Sequence, residues 1–298
     1  MKIYDCFMFF DEEMLLDLRL NVLNKHVDKF VISEATYKHN GEPKKLLFDI
    51  NKFQKFKDKI IYVVADNKNK GLEKINENDS ENIKISKTIS NSYKREVNQE
   101  NKIQEGIADA NENDVIIMSD LDEIPNLEKV DLKKINEKLI FFRQKIFYYK
   151  FNLLYEQMPW FGSKACKKKY LISPHWLKWI KNKKYPWWRI DTLFSRKKYN
   201  NIHFVLDGGW HFTNIRAAQD LQKKLLSFAH HYEFEQSGMK LDDIKRSIKE
   251  KTLMYNHTAD SKEKNKYGKG KKLQTVQLDE IPKYISENIN KYKPWLDN

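Results

Sequence analysis

The strongest constraint on the fold is a rhythm in the first 120 residues. Short apolar runs at 3–10, 29–35, 59–65 and 115–118 are separated by stretches long enough for helices. Runs such as Phe30-Val31-Ile32 and Ile60-Ile61-Tyr62-Val63-Val64 are apolar at consecutive positions, which suits strands covered on both faces. Alternation with helical stretches points to an α/β domain of layered strands and helices. Asp11 stands where it would cap a helix through about residue 26, in which Met14, Leu15, Leu18, Val22 and Leu23 recur at helical spacing. Residues 67–91 are rich in Asn, Lys, Glu and Ser and are expected to form an exposed excursion. A helix is expected over 93–110, carried by Val97, Ile103, Ile107 and Ala110, and another over 126–137. The aromatic-rich stretch 139–155 reads as one long or two paired strands, and 210–213 as a further strand. Beyond 215 the periodicity is mostly helical, with a basic, glycine-containing loop at 262–272. The expected organisation is one domain over 1–235 with a helical segment, 236–298, packed on it.

Composition narrows the class. With 40% hydrophobic and 13% aromatic residues in 298, the chain has ample material for a core, which excludes general disorder. Lys and Arg exceed Asp and Glu by 13, so an anionic partner is expected, whether nucleic acid, acidic lipid or a nucleotide. The two cysteines, Cys6 and Cys166, are too far apart in sequence for a Cys-x-x-Cys motif and favour a reducing compartment. No apolar stretch approaches the ~20 residues that span a bilayer. Neither a signal peptide nor a membrane anchor is read, and the expected location is cytoplasmic, with peripheral contact to an anionic membrane as an option.

Two motifs carry chemistry. Ser119-Asp120-Leu121-Asp122-Glu123-Ile124-Pro125 follows directly on the apolar run 115–118, which places Asp120 and Asp122 just past the carboxyl end of a buried strand. If extended geometry persists, their side chains share one side and can share a hard divalent cation. Gly208-Gly209-Trp210-His211-Phe212-Thr213 brings His211 onto a strand, offering one imidazole nitrogen. Two carboxylates, one imidazole, diphosphate oxygens and water would suit Mn2+ or Mg2+ better than zinc. The competing reading is an acidic turn with its carboxylates solvated and a histidine satisfied in the core.

These motifs, together with Tyr93-Lys94-Arg95-Glu96, the opening Tyr4-Asp5-Cys6-Phe7-Met8-Phe9-Phe10, the stretches Ser33-Glu34-Ala35-Thr36 and Gly41-Glu42-Pro43-Lys44, and the closing Ile281-Pro282-Lys283-Tyr284 with Asn288, resemble glycosyltransferase family 17. The resemblance spans nearly the whole chain. It implies a nucleotide-sugar-binding α/β fold of the GT-A type, with a mixed, mostly parallel central sheet flanked by helices, and metal-dependent, inverting transfer, with UDP-N-acetylglucosamine as donor and a glycan hydroxyl as acceptor. On it, Asp122 and His211 would bind the metal, and Asp120 would face the ribose or the outer shell of the metal. Phe9 or Phe10 and Glu34 would frame the uridine, and Arg95 and Asn98 could reach the donor. Animal members, which add a bisecting sugar, carry an anchor and stem that do not appear here, so Golgi residence and the bisecting-glycan acceptor do not carry over.

A single displacement needs a carboxylate base. Asp207, Glu233 and Glu123 are the three considered, with none singled out. The stretch 176–188 mixes Trp179, Trp187 and Trp188 with Lys178, Lys181, Lys183 and Lys184. It reads either as sugar-stacking or membrane-facing surface, or as core with snorkelling lysines. A basic nucleic-acid-binding protein is the main alternative to an enzyme, but it leaves Asp120, Asp122 and His211 unexplained. A phosphoryl-transfer enzyme lacks a Gly-rich phosphate loop, and a lectin-like module would require a degenerate metal motif.

Overall fold

The computed structural model describes residues 1–66, 71–192, 194–227, 234–235, 237–255 and 270–297. Its strands are β1 (Ile3–Phe9), β2 (Lys29–Ala35), β3 (Ile60–Ala65), β4 (Val115–Asp120), β5 (Glu123–Pro125), β6 (Leu139–Phe142), β7 (Gln144–Tyr148), β8 (Leu153–Trp160), β9 (Lys164–Lys167), β10 (Ile202–Val205), β11 (Gly209–Thr213) and β12 (Gln274–Thr275). The helices are α1 (Glu13–Leu23), α2 (Glu81–Gly106), α3 (Pro174–Trp179), α4 (Ala218–Ser227), α5 (Leu241–Lys249), α6 (Lys283–Glu287) and α7 (Ile289–Tyr292).

The four apolar runs become four adjacent parallel strands in the order β3-β2-β1-β4. Antiparallel β9 continues the sheet beyond β4, followed by β6 and β10. Successive side chains of β4 alternate between two cores: Val115 and Ile117 pack with α1, whereas Ile116 and Met118 pack with Ile103 and Ile107 of α2 and its continuation and Leu177 of α3. That double cover explains the consecutive apolar residues, and the expected mixed, mostly parallel sheet flanked by helices is what forms. β3 departs from the expectation of full burial. It lies at the sheet edge and is half-buried along most of its length.

A second sheet, β12-β8-β7-β11-β5, stands beside the first. The stretch read as one or two strands is therefore three, with β6 in the main sheet and β7 and β8 in the second. β11 pairs antiparallel with β5, setting His211 opposite Glu123, and parallel with β7. Gly209, at φ +119°, begins β11 where any Cβ would fall 2.2 Å from the Ile124 carbonyl, so the close pairing with β5 requires glycine there.

Other expectations need correction. α2 begins at Glu81, well inside the segment read as an excursion, because a mostly solvent-facing helix needs few apolar residues. Residues 126–137 form no α-helix. They fold as one 3-10 turn, Leu127–Lys129, and further turns that still bury Leu132 and Ile135. Asp11 does not cap α1; its carboxylate accepts from the Arg216 guanidinium. The closing segment is tied to the core through Ile281, Ile285 and Tyr292, and by paired hydrogen bonds between Asn152 and Asp297 at 2.8 and 2.7 Å. It also includes β12, paired with β8. Most of the 262–272 loop lies outside the described residues. No described helix is long and apolar enough to cross a membrane.

Candidate active site

The site is assembled at the carboxyl ends of β1 and β4, where an open α/β sheet collects ligands. Beneath it lies a charge that the motif does not announce. Arg19 of α1 and Asp5 of β1 are both fully buried, joined by two bonds at 2.6 and 2.8 Å. The same guanidinium donates to the Ser119 hydroxyl at 2.6 Å and to the carbonyls of Asp120, Leu121 and Glu123 at 2.8, 3.2 and 2.9 Å. Arg19 thus satisfies the turn carbonyls that leave the β-ladder, and holds the acidic turn from below.

The chain leaves β4 at Asp120, turns through Leu121 and Asp122, and enters β5 at Glu123. Extended geometry does not persist, and the two aspartates take different partners. Asp120 accepts from the Lys178 ammonium of α3 at 2.7 Å. Lys178 also meets Glu100 at 2.7 Å and Glu96 at 3.8 Å, both on α2, and Glu100 in turn contacts the His175 ring, whose other nitrogen lies 2.9 Å from the Tyr93 hydroxyl. Burial would raise the Asp120 carboxyl, but Lys178 overrides it and the net direction is down. Burial raises Glu96 to about 7 despite Lys178, with Glu100 and Asp120 adding to the rise.

Asp122 faces the other way, toward His211: Asp122 Oδ2 and His211 Nε2 are 3.8 Å apart. Burial raises the Asp122 carboxyl, with His211 and Lys224 opposing and Asp120 and Glu12 reinforcing. The His211 ring stacks on Trp160 at 4.8 Å between centroids, and its Nδ1 is buried without a hydrogen-bond partner among the described residues. The Phe212 amide donates to the Asp122 carbonyl at 2.8 Å, locking β11 to the turn. Glu123, between the two aspartates' surroundings, is already committed. It accepts from the Asp120 amide at 2.8 Å and the Trp160 indole at 2.6 Å, and Gly162 leaves it room that a Cβ would fill.

A cavity of about 620 Å³ lies between Phe10 to Leu15 at the end of β1 and Ile215 to Lys224 at the end of β11 and along α4; Asp122 and His211 do not line it, but the charges of its lining residues Glu12 and Lys224 act on Asp122. Arg216 bridges Asp11 and Glu12, at 2.7 Å to the latter, and Lys224 lies 3.6 Å from Glu12. The positive field of Lys224 acts on both Asp120 and Asp122. Among the described residues no group of three or more His, Cys, Asp or Glu side chains is arranged to hold a metal ion. Asp122 and His211 offer two protein donors, a number that fits Mg2+ or Mn2+ completed by phosphate oxygens and water.

The remaining sequence-selected residues fall at varied distances from the turn. Phe10 lines the cavity, whereas Phe9 is buried against Phe48. Glu34 is saturated: it accepts from the Lys44 ammonium, the Leu47 and Phe48 amides at 2.7 and 3.0 Å, and the Tyr62 hydroxyl at 2.9 Å, so it pins the following segment onto β2. Arg95 donates to the His39 carbonyl at 3.1 Å, and Asn98 to the Tyr37 hydroxyl at 2.7 Å, which secures the loop after β2. That loop is close enough to the turn for burial and then Lys178 to depress the His39 imidazole. Asp207 is exposed, 3.5 Å from Lys129, at the far end of β11 from the cavity. Glu233 lies outside the described residues. Sequence reasoning missed Arg19, Arg216 and Lys224; a charge inside the apolar stripe of α1 was the available signal for the first.

Comparison with known proteins places these observations. No curated protein matches the sequence. Among solved structures, the chain is similar at 11% identity to HddC from Yersinia pseudotuberculosis complexed with GMP-PN, covering 78% of this chain and 99% of that one with a TM-score of 0.26, a likeness too slight to bear on fold or function. The family comparison is of another order, since the sequence model for glycosyltransferase family 17 matches residues 1–297, a span that takes in both motifs and the closing segment. The chain belongs to glycosyltransferase family 17 and is a glycosyltransferase, acting between a sugar donor and an acceptor.

Proposed function

We propose that the protein transfers a sugar, N-acetylglucosamine, from UDP-N-acetylglucosamine to a glycan hydroxyl with inversion, assisted by Mn2+ or Mg2+, on a GT-A type fold. The observation that supports this reading is the meeting of Asp122, in the turn between β4 and β5, with His211 of β11, within the field of Lys224, which lines the neighbouring cavity together with Arg216. Asp122 and His211 would hold the divalent ion, which when bound supplies positive charge to the departing diphosphate. Lys224 and Arg216 add fixed charge on the cavity side, where developing phosphate charge needs it. Phe10 offers a flat apolar wall for the base of the nucleotide. Asp120, neutralised by Lys178, is left to accept from the ribose. Inversion also requires a base on the acceptor side. Glu123 is occupied by Trp160 and the Asp120 amide, and Asp207 lies at the far end of β11 from the cavity, so Glu233 carries that part of the reading. The domain reading follows the same line, with residues 236–298 closing the 1–235 unit.

The test is Mn2+-dependent release of UDP from a panel of UDP-sugars, in the presence and absence of glycan acceptors. The wild type should prefer UDP-N-acetylglucosamine, and Asp122→Ala and His211→Ala should abolish turnover while remaining folded. UDP-sugar binding that is absent in the wild type, or turnover that survives both substitutions, would sink the proposal.

A further inference from the structure

Between α3 and β10 the chain leaves the body in an excursion, residues 181–199, closed at its base by a bridge between Lys184 and Tyr199 and by the Tyr185 amide donating to the Tyr199 carbonyl at 2.9 Å. It carries seven lysines and arginines against one aspartate, a surplus of six in nineteen residues, when the whole chain has a surplus of 13. It also displays large apolar side chains to solvent: Trp187 is 82% exposed, Trp188 64%, Ile190 70% and Phe194 87%. Isolated exposed apolar residues are ordinary, but four within eight positions are not.

The excursion is ordered by its own contacts. Asp191 is held by Arg189 through two bonds at 2.7 and 2.8 Å and by Lys198 at 2.7 Å, so the lone carboxylate is neutralised. The Tyr185 ring gathers Lys183, Arg189 and Lys198 at 5.6 to 5.9 Å from its centre. The Trp176 indole donates to the Arg196 carbonyl at 2.7 Å, tying the excursion to the helix that delivers Lys178 to Asp120.

We propose that residues 181–199 dock the protein on an anionic lipid bilayer, with Trp187, Trp188, Ile190 and Phe194 entering the interface and the surrounding cations meeting lipid phosphates. Tryptophan and phenylalanine beside lysine and arginine are the residues that partition at this boundary. The positive surplus disfavours a second copy of the same chain as the occupant. The aliphatic Ile190 gives nothing to a stacked base, which favours lipid over nucleic acid. Because the excursion is tied to α3, docking also fixes the orientation of the active site relative to the surface.

The experiment is co-sedimentation of the full chain with vesicles of phosphatidylcholine alone, or containing about a third phosphatidylglycerol, at low and high salt. It is read beside tryptophan emission, and it does not depend on the transfer reaction. The wild type should bind the anionic vesicles, release in high salt and shift its emission to the blue. Lys183→Gln combined with Lys184→Gln, Arg196→Gln and Lys197→Gln should lower partition by about a thousandfold, at roughly 1 kcal/mol per basic residue. Trp187→Ser with Trp188→Ser should lower it about tenfold and remove the blue shift. All altered side chains are exposed, so unchanged melting confirms that the variants fold. Equal partition onto neutral and anionic vesicles, variants that bind like the wild type, or capture of oligonucleotides without vesicle binding would each overturn the proposal.

Discussion

The two sides of the acidic turn make an instructive pair. On the α2 and α3 side, Asp120 sits at the end of a chain of protein partners, Lys178, Glu100, His175 and Tyr93, each already engaged. On the β11 and α4 side, Asp122 has among the described residues a histidine at 3.8 Å, an imidazole with one buried nitrogen unpartnered there, and the field of Lys224. Two carboxylates separated by one residue are thus treated in opposite ways: the fold neutralises one and leaves the other poised for something to arrive. A closed network fixes geometry, whereas an incomplete one has capacity for a ligand.

The sharpest way to break this comparison is to remove each carboxylate in turn. Asp122→Asn should lower turnover by about a thousandfold or more, equivalent to ~4 kcal/mol of transition-state stabilisation, while leaving melting unchanged or slightly improved. Steady-state assays beside calorimetry decide it, and an Asp122→Asn enzyme with near-normal turnover would collapse the distinction. The next effect falls on stability. Lys178→Met strands Glu100 and Asp120 and should cost about 3 kcal/mol in denaturant unfolding, since removing one partner of a buried pair leaves uncompensated charge. A loss below ~1 kcal/mol would mean that the network is not the closed one described.

The pH dependence of the same side sharpens it further. A Glu96 carboxyl at about 7 in the folded chain and 4.5 when unfolded keeps its proton on folding between those values. The folded state then binds more protons than the unfolded one, and stability falls as pH rises from 4.5 through 7. Glu96→Gln should therefore melt higher than the wild type at pH 8, by roughly 1–3 kcal/mol, and converge with it near pH 4. Thermal scans across that range suffice, and parallel curves would remove Glu96 from the network. The smallest effect belongs to the open side. Lys224→Ala should raise the donor KM severalfold at constant fold stability, and a change confined to melting would make Lys224 a purely structural partner of Glu12.

The central strands were legible because double burial writes itself as consecutive apolar residues; β1, β2, β3 and β4 lie within two residues of where the runs placed them. The start of α2 was not, since Glu81 to Ser92 present few apolar side chains to mark a helix. Residues 126–137 misled for the converse reason, as Leu127, Leu132 and Ile135 reach the core from turns at spacings that mimic a helical face. In the site, Asp122 and His211 were readable as a pair of motifs. Their counterparts were not, because Lys178 reaches Asp120 across 58 positions and Arg19 reaches Ser119 across 100, and nothing local records such meetings.

Arg19 has a consequence for how the polypeptide acquires its shape. Its bond to Asp5 is available once the first helix has formed, but the acceptors that complete its shell belong to residues 119–123. A nascent chain ending before β4 would have to bury an ion pair whose arginine lacks four of its six hydrogen bonds, which is unfavourable. The amino-terminal β1-α1 unit is therefore expected to stay open until the acidic turn has been made, so that the segment synthesised first is among those that consolidate late, together with the turn that carries the chemistry.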